Sequence, residues 1–463
     1  MKIIVFLTIC IFFTFQTHAN EYSGNPIIPD NFADPALLID GGVFYIYSTS
    51  NCGTVWYSKD FRNWKHRVLN WPTCTNKKCQ WAPCIRKVGN FYYLYYSLDS
   101  QIYAAKSASP FGPFENMLPN DAPFIKDKQY FSPTIHSIDA DLFIDDDGRA
   151  YLYWGSGWNF KNGLCAAAEL NPDMCSFKTA PKNITPEGYF EGPHILKRNG
   201  KYYLMYSDGV YTDNTYCLKY SVSDSPLGPF VYGKNNPILI TDKSKNIYGP
   251  GHHYTAKIGD KYYIIYHKLE YPRINEKRDG TYRQICIDEL VFDSEGNIEK
   301  VVPTHRGVKL DFVASNKNGQ EKRIIPIKTE SSKCAQFTPN AYEASKAFDE
   351  NFGTLWEPAD GKDAWIAADL GEIKEISAIE PFFASTRDGV KYIIEYSSDT
   401  PQNGSVSSVK NWETYCSLDN SDAKEWPQRT EKRVKARFVR LKFTGGKTSR
   451  WGLWELKIFE EIK

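Results

Sequence analysis

The sequence predicts an all-β chain, a five-bladed β-propeller followed by a β-sandwich of jelly-roll type. Three observations predict the propeller. A segment made of a turn glycine and a run of aromatic and β-branched residues occurs five times before residue 270. The copies lie roughly 50 to 60 residues apart, about the length of one four-stranded blade. Helical periodicity is nearly absent, because Pro, Gly, Asn and Asp interrupt the chain too often for a long helix.

The elements follow in chain order. Met1-Lys2, an apolar run from Ile3 to Phe15 and Thr17-His18-Ala19 read as a secretory signal peptide over residues 1–19. A membrane anchor is the other reading, but a spanning helix needs about 20 apolar residues and polar ones follow at once. The chain is therefore expected to be secreted or periplasmic. The first copy of the repeat is Gly42-Val43-Phe44-Tyr45-Ile46-Tyr47-Ser48, and the second runs from Gly89 through Tyr92-Tyr93-Leu94-Tyr95-Tyr96 to Ser97. The third is Gly148-Arg149-Ala150-Tyr151-Leu152-Tyr153-Trp154-Gly155, the fourth Gly200 to Ser207 and the fifth Gly259 to His267. Each reads as a hairpin leading into an interior strand. Ser109-Pro110-Phe111-Gly112-Pro113-Phe114 and Ser225-Pro226-Leu227-Gly228-Pro229-Phe230 read as one inter-strand connection used in two blades. Residues 313–333 are rich in Lys, Asn, Glu and Ser and form a linker or edge, which puts the propeller at 20–325. The second domain, 326–463, has no such repeat and carries Trp356, Trp365, Trp412, Trp426, Trp451 and Trp454.

A net charge of +1 excludes partners that bind through charge, namely nucleic acid and anionic membrane, and favours a neutral substrate. Ten cysteines remain beyond the leader, eight before residue 300 and two after it, and both even counts suit disulfides in an oxidising compartment. No C-x-x-C pair or His-rich tract suggests zinc. The oligomeric state is not legible.

In a propeller the inner strands converge on an axial channel, so functional groups must come from different blades at one mouth. Three acids stand in contexts unlike surface charge: Asp34 in Ala33-Asp34-Pro35, Asp139 in Ser137-Ile138-Asp139-Ala140, and Glu191 in Tyr189-Phe190-Glu191-Gly192-Pro193. Carboxylates are rarely buried unless paired or functional, and three near the starts of inner strands point to catalysis.

Residues 25–310 resemble glycoside hydrolase family 43, the five-bladed propellers that include α-L-arabinofuranosidases, β-xylosidases and arabinanases. The resemblance rests on Ala33-Asp34-Pro35, Trp81-Ala82-Pro83, Ile138-Asp139 with Phe143 to Gly148, Glu191-Gly192-Pro193, Gly249-Pro250-Gly251-His252 and Arg283 to Asp288, all in the family's order. It implies inverting hydrolysis that removes α-L-arabinofuranosyl or β-D-xylosyl units from plant-type polysaccharide or oligosaccharide. Asp34 would be the general base, Asp139 the residue that modulates and orients the acid, and Glu191 the general acid. The family usually has proline after the modulator where this chain has Ala140, which leaves Asp141 as a rival. Trp81, Phe32, Arg283 and His253 are expected at the substrate. No cofactor is required for the chemistry; His252 would be a ligand or close neighbour of a structural calcium or sodium ion on the propeller axis, the alternative being a satisfied core histidine. Asp145, Asp146 and Asp147 with Gly148 read as a hairpin turn rather than a calcium loop.

The second domain resembles the discoidin or coagulation-factor type C sandwich, through Ala347-Phe348-Asp349, Trp365 to Gly371, Phe438 to Leu441 and Trp451 to Leu456. Such a domain would either bind carbohydrate or buttress the propeller. The rival functions are a β-D-galactofuranosidase of the same fold, a non-catalytic glycan-binding propeller, a retaining hydrolase of fructans and a sialidase. The last would need an arginine triad, of which only Arg283 is well placed.

Overall fold

The computed structural model describes residues 22–49, 53–69, 80–131, 135–157, 159–270, 282–313, 321–336, 342–385, 389–401, 405–419, 425–448 and 450–461. The leader at 1–19 and Cys52, Cys74 and Cys79 lie outside them. Among the described residues no helix is long and apolar enough to cross a membrane.

Blade one is β1 (Ala33–Asp40), β2 (Val43–Thr49), β3 (Thr54–Ser58) and β4 (Trp64–Val68); blade two is β5 (Trp81–Val88), β6 (Phe91–Leu98), β7 (Gln101–Ser107) and β8 (Glu115–Asn116). Blade three is β9 (Asp141–Ile144), β10 (Ala150–Trp154), β11 (Ala166–Glu169) and β12 (Lys182–Asn183). Blade four is β13 (Glu191–Arg198), β14 (Lys201–Asp208), β15 (Cys217–Ser223) and β16 (Val231–Tyr232). Blade five holds β17 (Tyr248–Ile258), β18 (Lys261–Leu269) and β19 (Arg283–Leu290). The innermost strands β1, β5, β9, β13 and β17 contact one another in a closed ring. The N-terminal segment closes it from outside, where Ile28 bridges Ile285 on the free edge of β19.

The five repeat copies are the five second strands. Ile46, Leu94, Leu152, Leu204 and Ile264 occupy one position in five blades, each 0% exposed, opposite Leu37, Ile85, Leu142, Ile195 and Thr255. Burying such an aliphatic side chain contributes about 1.5–3 kcal/mol, so this layer recurs because each blade needs it. The turn glycines Gly42, Gly89, Gly148, Gly200 and Gly259 all have φ between +59 and +82°, with open space where a Cβ would stand. Glycine is kept there for its left-handed backbone. The two near-copies are equivalent connections: the Tyr47 hydroxyl donates to the Pro110 carbonyl and Tyr153 Oη to the Pro226 carbonyl at 2.6 Å, each reaching to the next blade. Asp145 to Gly148 form the turn between β9 and β10, with Gly148 N–H donating to the Asp145 carbonyl at 2.9 Å.

The second domain is a seven-stranded sheet network wrapped around one core. Its long strands β20 (Trp365–Phe383) and β23 (Thr430–Gly446) pair with each other and with β24 (Leu453–Glu461) and β21 (Val390–Ser397). It is joined to the propeller in three ways. Strand β22 (Glu425–Trp426) adds a fifth strand to blade one beside β4. Phe352, Phe382, Trp426 and Trp454 share a core with Ile27, Phe61 and Trp64. Arg450 and Glu270 form a two-pronged ion pair, 2.7 Å on one prong, with only 7% and 1% of each residue exposed.

The disulfides suggested by the even counts are not found among the described residues, where Cys84, Cys165, Cys175, Cys217, Cys286, Cys334 and Cys416 are all free thiols. Cys84, Cys165 and Cys286 are 0–3% exposed in three different blades and pack as small apolar side chains. Cys334 and Cys416 pack against the second domain's core without joining.

Candidate active site

The ring of inner strands ends in a repeated backbone device. In each blade one residue at the mouth takes a positive φ: Asp34 (51°), Ala82 (41°), Asp139 (61°), Gly192 (63°) and His252 (42°). In blades one, two, four and five a bulge marks the same point. Four of the five are not glycine, and each such residue costs about 1–3 kcal/mol, strain of the kind that concentrates at functional sites. Three precede proline, Asp34-Pro35, Ala82-Pro83 and Gly192-Pro193.

Four of the five strained N–H groups are capped by the end of the preceding blade's second strand. Thr49 Oγ1 accepts from Ala82 (2.8 Å), Ser97 Oγ from Asp139 (3.0 Å), Ser207 Oγ from His252 (2.9 Å) and His267 Nδ1 from Asp34 (3.2 Å). Blade three breaks the series. Gly155 stands at the capping position, where a Cβ would come 2.2 Å from the Leu164 carbonyl oxygen. Gly192 N–H therefore donates to Asp139 Oδ2 instead, at 3.2 Å. That bond ties Asp139 to the residue following Glu191. Asp34 and Asp139 hold the same place in the repeat, whereas Glu191 is one residue earlier in its blade, so the three acids are not strictly equivalent.

The three carboxyl groups line one cleft of about 490 Å³ together with Thr49, Trp81, His136, Ser156, Phe160, Phe190, Tyr211, His252 and Arg283. That is the size of a small-ligand site. Asp34 is 7% exposed and set among polar side chains. Arg283 Nη1 lies 3.1 Å, His267 Nδ1 3.2 Å and His252 Nδ1 3.3 Å from its Oδ1, and Thr49 donates to its Oδ2. Burial alone would raise the carboxyl's pKa; Arg283, His252 and His267 outweigh it and hold Asp34 well below the usual carboxylate range. Asp139, 6% exposed, is pushed the other way, well above that range, by burial and then by the charges of Glu191 and Asp34. Glu191, the most open of the three, receives Tyr216 Oη on Oε1 at 2.7 Å and Ser156 Oγ on Oε2 at 3.2 Å. Burial raises it to about 7, Asp34 adds to the rise and the Tyr216 bond opposes it. One carboxylate is thus stabilised as the anion and a second as the acid, the division that paired acid and base chemistry requires.

Trp81 and Arg283 line the cleft; Arg283 Nε is buried with no protein partner, and the guanidinium lies 4.8 Å from the Tyr211 ring. Phe32 and His253 do not line it. Phe32 is fully buried, edge-on to Trp56 at 5.4 Å, because its side chain packs into the blade core. His253 is 4% exposed and, one residue beyond the strained His252, faces a small axial cavity beneath the cleft instead. Asp141, the rival to Asp139, is likewise below the cleft, paired with Arg86 (3.0 Å) and His194 (3.1 Å) and held at about 2 against its burial. His252 turns Nδ1 towards Asp34 and lies 3.9 Å from Asp139. Among the described residues no group of three or more His, Cys, Asp or Glu side chains is gathered that could hold an ion. At the axial cavity both ring nitrogens of His253 are without a protein partner.

Sequence reasoning missed Thr49, Ser156, Tyr216, Tyr211, Phe160 and His267. Two had a signal. Copy five ends on His267 where the others end on small residues, and Thr49 is the residue just past copy one. Tyr216 lies outside the repeat, in a loop; its buried ring stacks on His267 at 5.5 Å, and Gly251 makes room for it, since a Cβ there would meet the ring at 2.1 Å.

Comparison with known proteins fits this geometry. The model of glycosyl hydrolases family 43 matches residues 23–298, and that of the F5/8 type C domain matches 327–456. The β-D-galactofuranosidase xynD of Aspergillus niger is 35% identical over 318 residues, 63% of this chain and 89% of that protein. A xylosidase/arabinosidase of Bacteroides ovatus is 25% identical, covering 58% and 94%. Among solved structures, a glycoside hydrolase superposes with a TM-score of 0.73 at 28% identity, covering 95% of this chain and all of that one. With its propeller, its mouth of three carboxyl groups and a matching family model over more than half its length, this chain belongs to family 43 of the glycosyl hydrolases.

Proposed function

We propose that the chain is an inverting, exo-acting glycosidase that removes terminal furanosyl units from neutral plant-type glycans. The observation that carries this reading is the opposed ionisation of Asp34 and Glu191 in one cleft. Asp34, held as the anion, takes a proton from a water whose oxygen attacks the anomeric carbon. Glu191, protonated up to about pH 7, gives its proton to the glycosidic oxygen as that bond breaks. Asp139 fixes the acid's strand through Gly192 N–H. Arg283 orients Asp34 and offers Nε to a sugar hydroxyl, and Trp81 gives a flat face to the ring. The chemistry calls on no cofactor.

The sugar is α-L-arabinofuranose on the names of several relatives, among them arabinoxylan arabinofuranohydrolases of Paenibacillus polymyxa and Bacillus subtilis at 25% and 26% identity. A second reading, β-D-galactofuranose, is favoured by the 35% identity to a protein of that name. The two sugars share ring configuration and differ in the substituent beyond C4, so one cleft can serve either. Secretion, with residues 1–19 as leader, is part of the same proposal.

The test is hydrolysis of nitrophenyl α-L-arabinofuranoside, β-D-galactofuranoside and β-D-xyloside. Release of one furanose, with inversion seen by NMR and abolished in Asp34→Asn, is expected. Silence across the panel with retained polysaccharide binding would overturn the enzyme reading in favour of a propeller that only binds.

A further inference from the structure

Phe160 is a large apolar side chain left 41% exposed, and it stands in the wall of the catalytic cleft. Its backbone is held at φ +58°, between Asn159 at +51° and Asn162 at +53°. Asparagine tolerates that region; a bulky aromatic residue there is an outlier, at about 1–3 kcal/mol. The loop is nonetheless built closely. A Cβ on Gly157 would meet the Lys161 carbonyl oxygen at 2.0 Å, and one on Gly163 would meet the Phe190 carbonyl oxygen at 2.2 Å. The two glycines let the loop lie directly on its own backbone and on that of Phe190. The Phe160 ring is seated against Phe190 (centroids 5.9 Å apart) and Tyr211 (5.6 Å), which supports it from behind without covering it. A strained, firmly supported and uncovered aromatic ring in a cleft is a surface waiting for an apolar face.

Its place says which part of a substrate that face belongs to. The loop that carries Phe160 also carries Ser156, which donates to Glu191, and the ring rests on Phe190, the residue before Glu191. The acid must reach the glycosidic oxygen, the atom that leaves with the rest of the chain. The wall beside Glu191 therefore faces the leaving group, while Arg283 and Thr49 gather round Asp34 on the side of attack. We propose that Phe160 is the platform for the leaving-group sugar, stacking on the C–H face of the ring that follows the scissile bond, and that it makes the enzyme prefer a saccharide leaving group to a small one. This rests on the glycosidase reading above. Binding of a remote sugar would then be used to align the reacting bond, so its loss appears in kcat/KM for the saccharide.

The experiment compares Phe160→Ala with the full-length wild type on two substrates of the same glycone and anomeric configuration, an oligosaccharide and the glycosyl fluoride, whose leaving group is one atom. The expected result is a fall of about 10–100-fold in kcat/KM on the oligosaccharide and at most about 3-fold on the fluoride, with Phe160→Tyr close to wild type on both. The melting temperature should not fall, since an exposed ring is removed. Equal loss on both substrates, or no loss on either, would overturn the platform. A wild type that hydrolyses neither substrate would instead overturn the glycosidase reading itself.

Discussion

Glu270 and Asp139 are both carboxylates sunk in the propeller, 1% and 6% exposed, and their surroundings are opposite. Glu270 meets Arg450 of the second domain prong for prong. Asp139 has one backbone N–H on Oδ2 and faces two further carboxyl groups. Burial costs each charge several kcal/mol, and only the pair at the domain junction has that cost offset by a cation in contact. Burial alone does not decide what a carboxyl group does; the compensating charge decides. A matched charge locks two domains together, and an unmatched one is left holding its proton. The two regions are also linked by one strand, since Glu270 directly follows β18, whose His267 touches Asp34.

Three sets of variants break or sharpen this contrast, taken from the largest effect to the smallest. At the mouth, Asp34→Asn and Glu191→Gln should each lower kcat about 10²–10⁴-fold with the melting temperature little changed. Substrates with good leaving groups should partly restore Glu191→Gln and not Asp34→Asn; equal rescue of both would reverse the assignment of roles. At the junction, Arg450→Met leaves Glu270 buried without its cation and should cost about 3–5 kcal/mol in urea unfolding, whereas the double variant Arg450→Met with Glu270→Leu should recover most of that loss. If Arg450→Met is neutral, the second domain is not a buttress.

The smallest effect is a shift in pH dependence. Glu191 is raised to about 7, so kcat/KM should fall on the alkaline side near neutrality. Tyr216 donates to the ionised form, so Tyr216→Phe should move that limb upward, which a merely structural role would not do. The same shift has a stability consequence. Between the unfolded value of about 4.5 and the folded value of about 7 the native state keeps a proton that the unfolded chain has lost, so stability falls as pH rises through that window. Glu191→Gln should flatten that slope. Asp34 acts in the opposite sense: its lowered pKa contributes stability that is present above about 3.8 and lost on acidification below it.

Much of this was legible in the chain. The five blades were visible because a turn glycine and the strand after it are adjacent in sequence, and Asp34, Asp139, Glu191, Trp81 and Arg283 stand beside local marks, a proline or the repeat itself. Phe32 and His253 were misplaced for a related reason. They are near the right segments, but at a strained turn and bulge a step of one or two residues moves a side chain from the cleft into the core or below it. The capping column of Thr49, Ser97, Ser207 and His267 was written at the ends of the copies, yet its meaning lies in the next blade. Tyr216 and Phe160 lie in loops outside the repeat.

The sequence by itself determined the repeat, the number of blades, the domain order and the three acids, because these depend on backbone preference and on burial patterns within about ten residues. Tertiary structure alone decided which acid is ionised. Asp34 meets Arg283 across 249 residues and His267 across 233, and no local pattern can place a cation from so far along the chain against a carboxylate. It also decided that the second domain is joined through a shared core and the Glu270–Arg450 pair, contacts that exist only once both domains have closed on each other.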